Sequence, residues 1–231
     1  MTYGLIVCAG KQTRFKSQTP KALVKLKDEC LLDINIKVMS KLCDEIYVVV
    51  SHENKDYFNN YKTIEIESGF GCGDAVMKAL QSLDIKNDDY ACIAWGDTLL
   101  TDTIIDSLIE PISLGYNSFP CIFIPCTYEE HPYVLLDNGR VYFSKYGEET
   151  YSGFHDLSTF YGNAMLLRNY LEVLSRIYTV DGKYVNKHGN EMNFLDVFND
   201  TCLDYCIIDV KGYKDKSFNT LEDLLKLEER M

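Results

Sequence analysis

The opening stretch, Leu5-Ile-Val-Cys-Ala-Gly-Lys-Gln-Thr-Arg-Phe15 followed by Thr19-Pro-Lys-Ala-Leu23, constrains this chain more than any other. An apolar run stops at Ala9-Gly10 and gives way to a polar loop with two cations, Arg14 and Lys21, the second behind a proline. A strand that opens into a glycine-started loop sets backbone N–H groups and basic side chains at one sheet edge, an arrangement suited to polyphosphate. The chain as a whole is acidic, with 23 Lys and Arg against 35 Asp and Glu and a net charge of −12. Lys11, Arg14, Lys16, Lys21, Lys25 and Lys27 therefore gather positive charge against the average, although a solvated basic face also explains the outer lysines. The same net charge argues against nucleic acid and anionic membrane as partners.

Hydrophobic spacing outlines the rest. Tyr3–Ala9 and Asp89–Trp95 read as strands buried on both faces, and Glu45–Ser51 as a β-branched strand. The spacing predicts helices over Leu31–Leu42, Ala75–Leu83 and Asp102–Leu114, the last capped by Thr101 or Asp102, with a short helix at Asn54–Tyr61 and a third strand at Thr63–Glu67. Strand and helix alternating in this order argue for parallel pairing with helices on both faces. The pattern changes in the second half. Ser118–Thr127, Thr159–Leu167 and Leu203–Val210 read as strands, and Tyr133–Leu136 with Val141–Ser144 as a hairpin closed by Asn138-Gly139. Residues 145–157 are polar, aromatic and aperiodic, the pattern of a mobile loop. Asn169–Tyr178, Asn193–Asn199 and Thr220–Arg230 read as helices. The expectation is a single α/β domain over 1–231: a Rossmann-like mixed, mostly parallel sheet with helices on both faces, plus a hairpin-and-loop lid subregion.

Several chemistries fall away. The nine cysteines are odd in number, form no CxxC pair and sit mostly in apolar runs, where Cys acts as a small hydrophobe. The first residues lack the basic and apolar regions of a signal peptide, and no apolar run is long enough to span a membrane, so a reduced, cytoplasmic protein is expected. There is no GxxxxGK[ST], GxGxxG, GxSxG or HExxH, and His52, His131, His155 and His188 are scattered.

Against that background the opening stretch with Pro20-Lys21 resembles the signature of the nucleotidyltransferases with a glycosyltransferase-A-like fold. These enzymes activate sugar phosphates, phosphocholine and similar acceptors with a nucleoside triphosphate. Three further stretches match in order: Gly69–Ala75 at the base-binding loop, Trp95-Gly96-Asp97 after the fourth strand, and Phe218-Asn-Thr-Leu-Glu-Asp-Leu224, where Leu221 replaces the family's proline. One departure stands out: Gln12 occupies a position that is usually glycine, where backbone approaches phosphate.

The resemblance implies in-line attack of an acceptor phosphate oxygen on the α-phosphorus with loss of pyrophosphate. Residues 1–115 would form the nucleotide-binding half, and 116–231 the acceptor-binding half and closing helix. Cys8, Ala9, Gly10, Lys11, Gln12 and Thr13 would line the triphosphate, Arg14 would grip the β and γ phosphates, and Lys21 would bridge the α-phosphate and the incoming phosphate. Ser68, Gly71, Cys72, Gly73 and Asp74 would read the base. Asp97 would hold Mg²⁺ with Asn219 as second ligand, Asp209 and Asp215 being rivals if the register slips. Glu222 and Asp223 fit better as first-turn acids of the closing helix.

On the acceptor side the expected residues are Tyr133, Arg140, His155, Gly162, Asn163 and Glu191. Phe143, Tyr146, Tyr151 and Phe154 could cage a quaternary ammonium, cover a sugar or pack the hairpin. CTP is preferred over UTP or dTTP, and the acceptor is left among a sugar phosphate, phosphocholine and a phospho-amino-acid such as phosphoglutamine, as in capsule or cell-surface biosynthesis. Competing readings are a glycosyltransferase of the same fold, a molybdopterin nucleotidyltransferase and a nucleotide-binding regulatory domain without turnover. The first would want Asp-x-Asp where Gly96-Asp97-Thr98-Leu99 offers one carboxylate. Oligomeric state stays open, a homodimer included.

Overall fold

The structure is a computed structural model of the chain. It describes residues 1–10, 19–67, 70–116, 120–136, 140–143, 150–185, 190–214, 216–218 and 220–228.

The first half delivers the expected alternation. Strand β1 (Thr2–Val7) is followed by a 3-10 turn at Lys21–Leu23, a short ribbon of β2 (Lys25–Leu26) and β3 (Glu29–Cys30), and helix α1 (Leu31–Met39). Then come β4 (Glu45–Ser51), a 3-10 turn at Lys55–Phe58, β5 (Thr63–Ile66), α2 (Cys72–Gln81), β6 (Tyr90–Trp95) and α3 (Asp102–Ser113). The second half holds β7 (Cys121–His131), β8 (Tyr133–Leu136), β9 (Arg140–Phe143), β10 (Tyr151–Asp156), β11 (Thr159–Asn163) and α4 (Ala164–Tyr178). It ends with the ribbon β12 (Thr179–Val180) and β13 (Lys183–Tyr184), then α5 (Asp196–Asp200), β14 (Asp204–Asp209) and α6 (Leu221–Glu228).

One mixed sheet carries the molecule, in the order β5-β4-β1-β6-β11-β7-β10-β8-β9, with β14 on the other edge of β7. The run β5-β4-β1-β6 is parallel throughout, so β1 and β6 end side by side, Val7 opposite Trp95. Parallel strands need crossover helices, and those helices cover both faces. On one face α2 and α4 contribute Val76, Ala79, Leu80, Leu167, Leu171 and Leu174 to a core with Leu5, Ile93 and Ile122. On the other, α1 and α3 contribute Leu32, Met39, Ile104, Ile105 and Leu108 to a core with Ile6, Cys92 and Phe123. The i, i+4 and i, i+7 spacings of these residues make each helix one-sided, and burial of that stripe fixes it to the sheet. No helix among the described residues is long and apolar enough to cross a membrane.

Two sequence expectations give way. Residues 151–156, expected in a mobile loop, form β10, paired antiparallel with Cys126–His131 of β7. Its inward polar side chain His155 is matched by Glu129 across the ladder, so the strand shows no apolar alternation. The run from Thr159 to Leu167, expected as one strand, breaks at Asn163, whose side chain accepts the Leu166 N–H at 2.8 Å and starts α4. Strand and first helical turn are both buried there, and an unbroken apolar run cannot separate them. The Asn138-Gly139 turn and residues 145–149 lie outside the described residues.

Candidate active site

The site gathers at the carboxyl ends of β1 and β6, where open α/β sheets leave a crevice. Pro20 and the 3-10 turn set Lys21 beneath this edge, with the Leu23 N–H on the Pro20 carbonyl at 2.9 Å. Lys21 is 7% exposed, and its ammonium lies 3.3 Å from Asp97 Oδ2 and 3.5 Å from the Phe218 carbonyl oxygen. Asp97 itself stays open, with a side chain 37% exposed.

Gly96 makes that approach possible: a Cβ there would stand 2.5 Å from Cys8 Sγ and 3.0 Å from the Val7 carbonyl. Cys8 packs directly behind the carboxylate. Burial first, then the negative charge of Asp97, pushes its thiol well above the ordinary range, so Cys8 stays neutral.

The turn after Asp97 is clamped by the C-terminal segment. Leu99 N–H bonds the Lys216 carbonyl at 3.1 Å, Phe218 N–H bonds the Asp97 carbonyl at 3.1 Å, and Thr98 bridges Ser217. Phe218 then packs with Leu224 and Leu227 of α6 against Leu26, Leu31 and Leu99. One apolar cluster thus ties the lysine turn, the aspartate turn and the closing helix.

A second corner forms where α2 begins. Gly71 has φ of +107°, and a Cβ on it would meet the Met192 carbonyl at 2.6 Å. Gly73 N–H donates to that carbonyl at 2.9 Å, and the Met192 N–H to the Phe70 carbonyl. Cys72 Sγ accepts the Phe194 N–H at 3.3 Å, and burial raises its thiol to about 11. Asp74 accepts the Phe70 N–H at 3.0 Å and pairs with Lys78 at 2.9 Å, holding the first turn of α2. Beneath this corner Trp95, Phe160 and Phe194 pack ring on ring, with centroids 4.7 to 5.6 Å apart.

Of the expected residues, Cys8, Ala9, Gly10, Lys21 and Asp97 meet at one edge, with Gly71, Cys72, Gly73 and Asp74 at the neighbouring corner. Glu191, expected with the acceptor, stands beside Gly71 instead, its Cβ 3.1 Å from where a Gly71 Cβ would be. Trp95 N–H bonds the Ser158 carbonyl, so His155 lies just past the end of β6. It is buried, with Nδ1 2.6 Å from Glu129 Oε1 and its ring stacked on His131 at 3.6 Å.

Gly162 and Asn163 do not join the site. They pair with Ala91 and Tyr90 at the opposite end of β6, ~16 Å away at strand rise. Gly162 is there for packing on Ile122, and Asn163 caps α4. Tyr133 and Arg140 belong to β8 and β9, Arg140 opposite Leu136. Lys11, Gln12, Thr13, Arg14, Ser68, Asp215 and Asn219 lie outside the described residues.

The structure adds Met192, the Phe218 carbonyl, Glu129 and Asn35. Asn35 alone had a legible signal, a polar residue on the apolar stripe of α1.

The carboxyl edge of the parallel run thus brings together Gly10, a buried lysine and an open aspartate. The solved structures agree on the fold. The inositol-1-phosphate CTP transferase of T. maritima superposes with a TM-score of 0.71 at 11% identity, covering 100% of this chain and 96% of its own. HddC of Yersinia pseudotuberculosis, complexed with GMP-PN, gives 0.65 at 14% identity, covering 100% and 99%.

The chain belongs to the family of MobA-like NTP transferase domains, whose pattern matches residues 4–147. Among curated relatives, the bifunctional protein GlmU of Aliarcobacter butzleri is 39% identical over 153 residues, 59% of this chain and 32% of that protein. The 2-C-methyl-D-erythritol 4-phosphate cytidylyltransferase of Thermosipho africanus is 40% identical over 70 residues, 30% of this chain and 29% of that protein. These matches span about a third or less of the relatives' length.

Proposed function

We propose that this chain is a Mg²⁺-dependent nucleotidyltransferase that joins the nucleoside monophosphate of an NTP, CTP by preference, to a small phosphorylated acceptor and releases pyrophosphate. The observation that carries the reading is the Lys21–Asp97 pair at the common end of β1 and β6. An acceptor phosphate is already an anion, so the reaction needs alignment and charge neutralisation more than a base.

The acceptor oxygen attacks the α-phosphorus, and the bond to the α–β bridging oxygen breaks with pyrophosphate leaving. Lys21, held in a buried turn, offsets the charge that builds as two phosphates approach. Arg14, by the family resemblance, would face the leaving group. By the family resemblance, the backbone of Gly71, Cys72 and Gly73 would read the base edge. Past the end of β6, His155 and Glu129 form a polar wall suited to the acceptor.

The donor set fits Mg²⁺. One open carboxylate, Asp97, is enough for a hard cation that completes its shell with phosphate oxygens and water, and Thr98 beside it keeps a buried hydroxyl without a partner among the described residues. Asp97 would hold the ion with Asn219, and the bound ion would neutralise phosphate oxygens. The CTP preference draws support from the relatives described as a cytidylyltransferase and a CTP transferase.

The test is to incubate the protein with each common NTP, Mg²⁺ and a panel of sugar phosphates, phosphocholine and phospho-amino-acids. Pyrophosphate and a diphosphate-linked product are expected, fastest with CTP. Nucleotide binding without product from any pair would favour a regulatory domain and sink the proposal.

A further inference from the structure

Asn35 lies on the apolar stripe of α1 with Leu31, Leu32 and Met39, fully buried at 0% exposure. A polar side chain there is costly unless it is fully bonded. Its carboxamide reaches across to the turn after Asp97. Nδ2 donates to the Thr98 carbonyl at 2.8 Å, and Oδ1 accepts the Leu100 N–H at 2.8 Å. The two bonds grip backbone groups on either side of Leu99, while Lys216 and Phe218 hold the opposite side of the same turn. Only a group with donor and acceptor at amide spacing can serve both. Aspartate keeps the acceptor but loses the donor, and leucine keeps neither.

We propose that Asn35 is a positioning residue for the transfer reaction: it fixes the Asp97–Leu100 turn and so sets the Asp97 carboxylate against Lys21 and the phosphates. This rests on the reading of Asp97 as a reaction-centre carboxylate. Small displacements of such groups weaken catalysis far more than they weaken ground-state binding. Among the described residues both side-chain hydrogen bonds of Asn35 go to the Thr98–Leu100 turn and neither to the base corner, so its loss should spare NTP affinity.

The experiment compares Asn35→Asp, Asn35→Leu and Asp97→Ala with the parent protein. Single-turnover rate, CTP affinity, folded fraction by circular dichroism and Mn²⁺ affinity by electron paramagnetic resonance are read for each, the last with a non-hydrolysable CTP analogue bound. For folded Asn35→Asp at pH 8, the rate should fall about tenfold and Mn²⁺ affinity about threefold, with CTP affinity within about twofold. As pH is lowered the variant should regain rate relative to the parent, because a protonated carboxyl can again donate to the Thr98 carbonyl. Asn35→Leu should show no such recovery.

Parent-like rate and Mn²⁺ affinity in folded Asn35 variants, or losses that only track the folded fraction, overturn the inference. If Asn35→Leu does not fold, the pH recovery of Asn35→Asp decides alone. A parent-like Asp97→Ala would instead overturn the reading of the site. A crippled Asp97→Ala beside parent-like Asn35 variants would overturn only the positioning role.

Discussion

The two corners of the site are built by opposite means. At the Lys21–Asp97 corner, opposite charges stand at the rim of the sheet, and one partner remains open to solvent. The corner is held at a distance, through Asn35, the 216–218 segment and the α6 cluster. At the Gly71–Met192 corner backbone packs on backbone, with a positive φ and no space for a single carbon. On the proposed function, the first corner would exchange its ion pair for phosphate and metal. On the same proposal the second, where backbone already packs on backbone, would read the base by shape.

Substitutions can break either half of that contrast. The largest effect is expected at Asp97: Asp97→Ala should cut turnover at least about tenfold, since a lost charge contact costs on the order of 1.5–3 kcal/mol. Raising Mg²⁺ should not restore it, and a steady-state titration of the metal checks this. Gly71→Ala attacks the rigid corner and should lower stability by about 2 kcal/mol, a fall in Tm of about 6 °C. Calorimetry with CTP should show weaker binding in the same variant.

Alkaline pH probes the second corner differently. Burial holds the Cys72 thiol at about 11, above the 9.0 of a free thiol. The unfolded chain therefore loses this proton first, and the stability it contributes is complete below pH 9 and lost as pH rises toward 11. The unfolding free energy from denaturant titration should fall across that window by on the order of 2 kcal/mol, and less in Cys72→Ala. The smallest effect is at the closing helix. Thr220 and Asp223 bond reciprocally, Thr220 N–H to Asp223 Oδ2 at 2.9 Å and Asp223 N–H to Thr220 Oγ1 at 3.2 Å. Asp223→Ala should lower stability by about 1 kcal/mol. Because α6 packs on Leu26 and Leu99, hydrogen exchange should quicken at Leu99 before it does at Gly73.

How far the sequence reached follows from the same contrast. β1, β4 and β6 were legible because parallel central strands are continuous apolar runs; Asp97 stood out at the end of such a run and Lys21 in the polar loop after β1, their roles coming from the family resemblance. The acceptor side was not. Glu129 completes His155 from another strand, and β10 read as a loop because that polar pairing replaces apolar alternation. Gly162 and Asn163 carried the residue types of a site but serve packing and a helix cap. Glu191 reached the base corner through Met192, a contact across the fold that spacing does not encode. Asn35 went unread in the sequence, and its target, the turn after Asp97, is defined only by the packing of α1 on the sheet.

The most direct measurement is the single-turnover rate of Lys21→Ala with CTP and the best acceptor, taken beside its CTP affinity. If Lys21 offsets charge where the two phosphates meet, the rate should fall at least about tenfold while CTP affinity changes by only a few-fold. A folded Lys21→Ala protein with parent-like rate, or one whose whole defect lies in CTP binding, would contradict the placement of the transfer site at the end of β1 and β6.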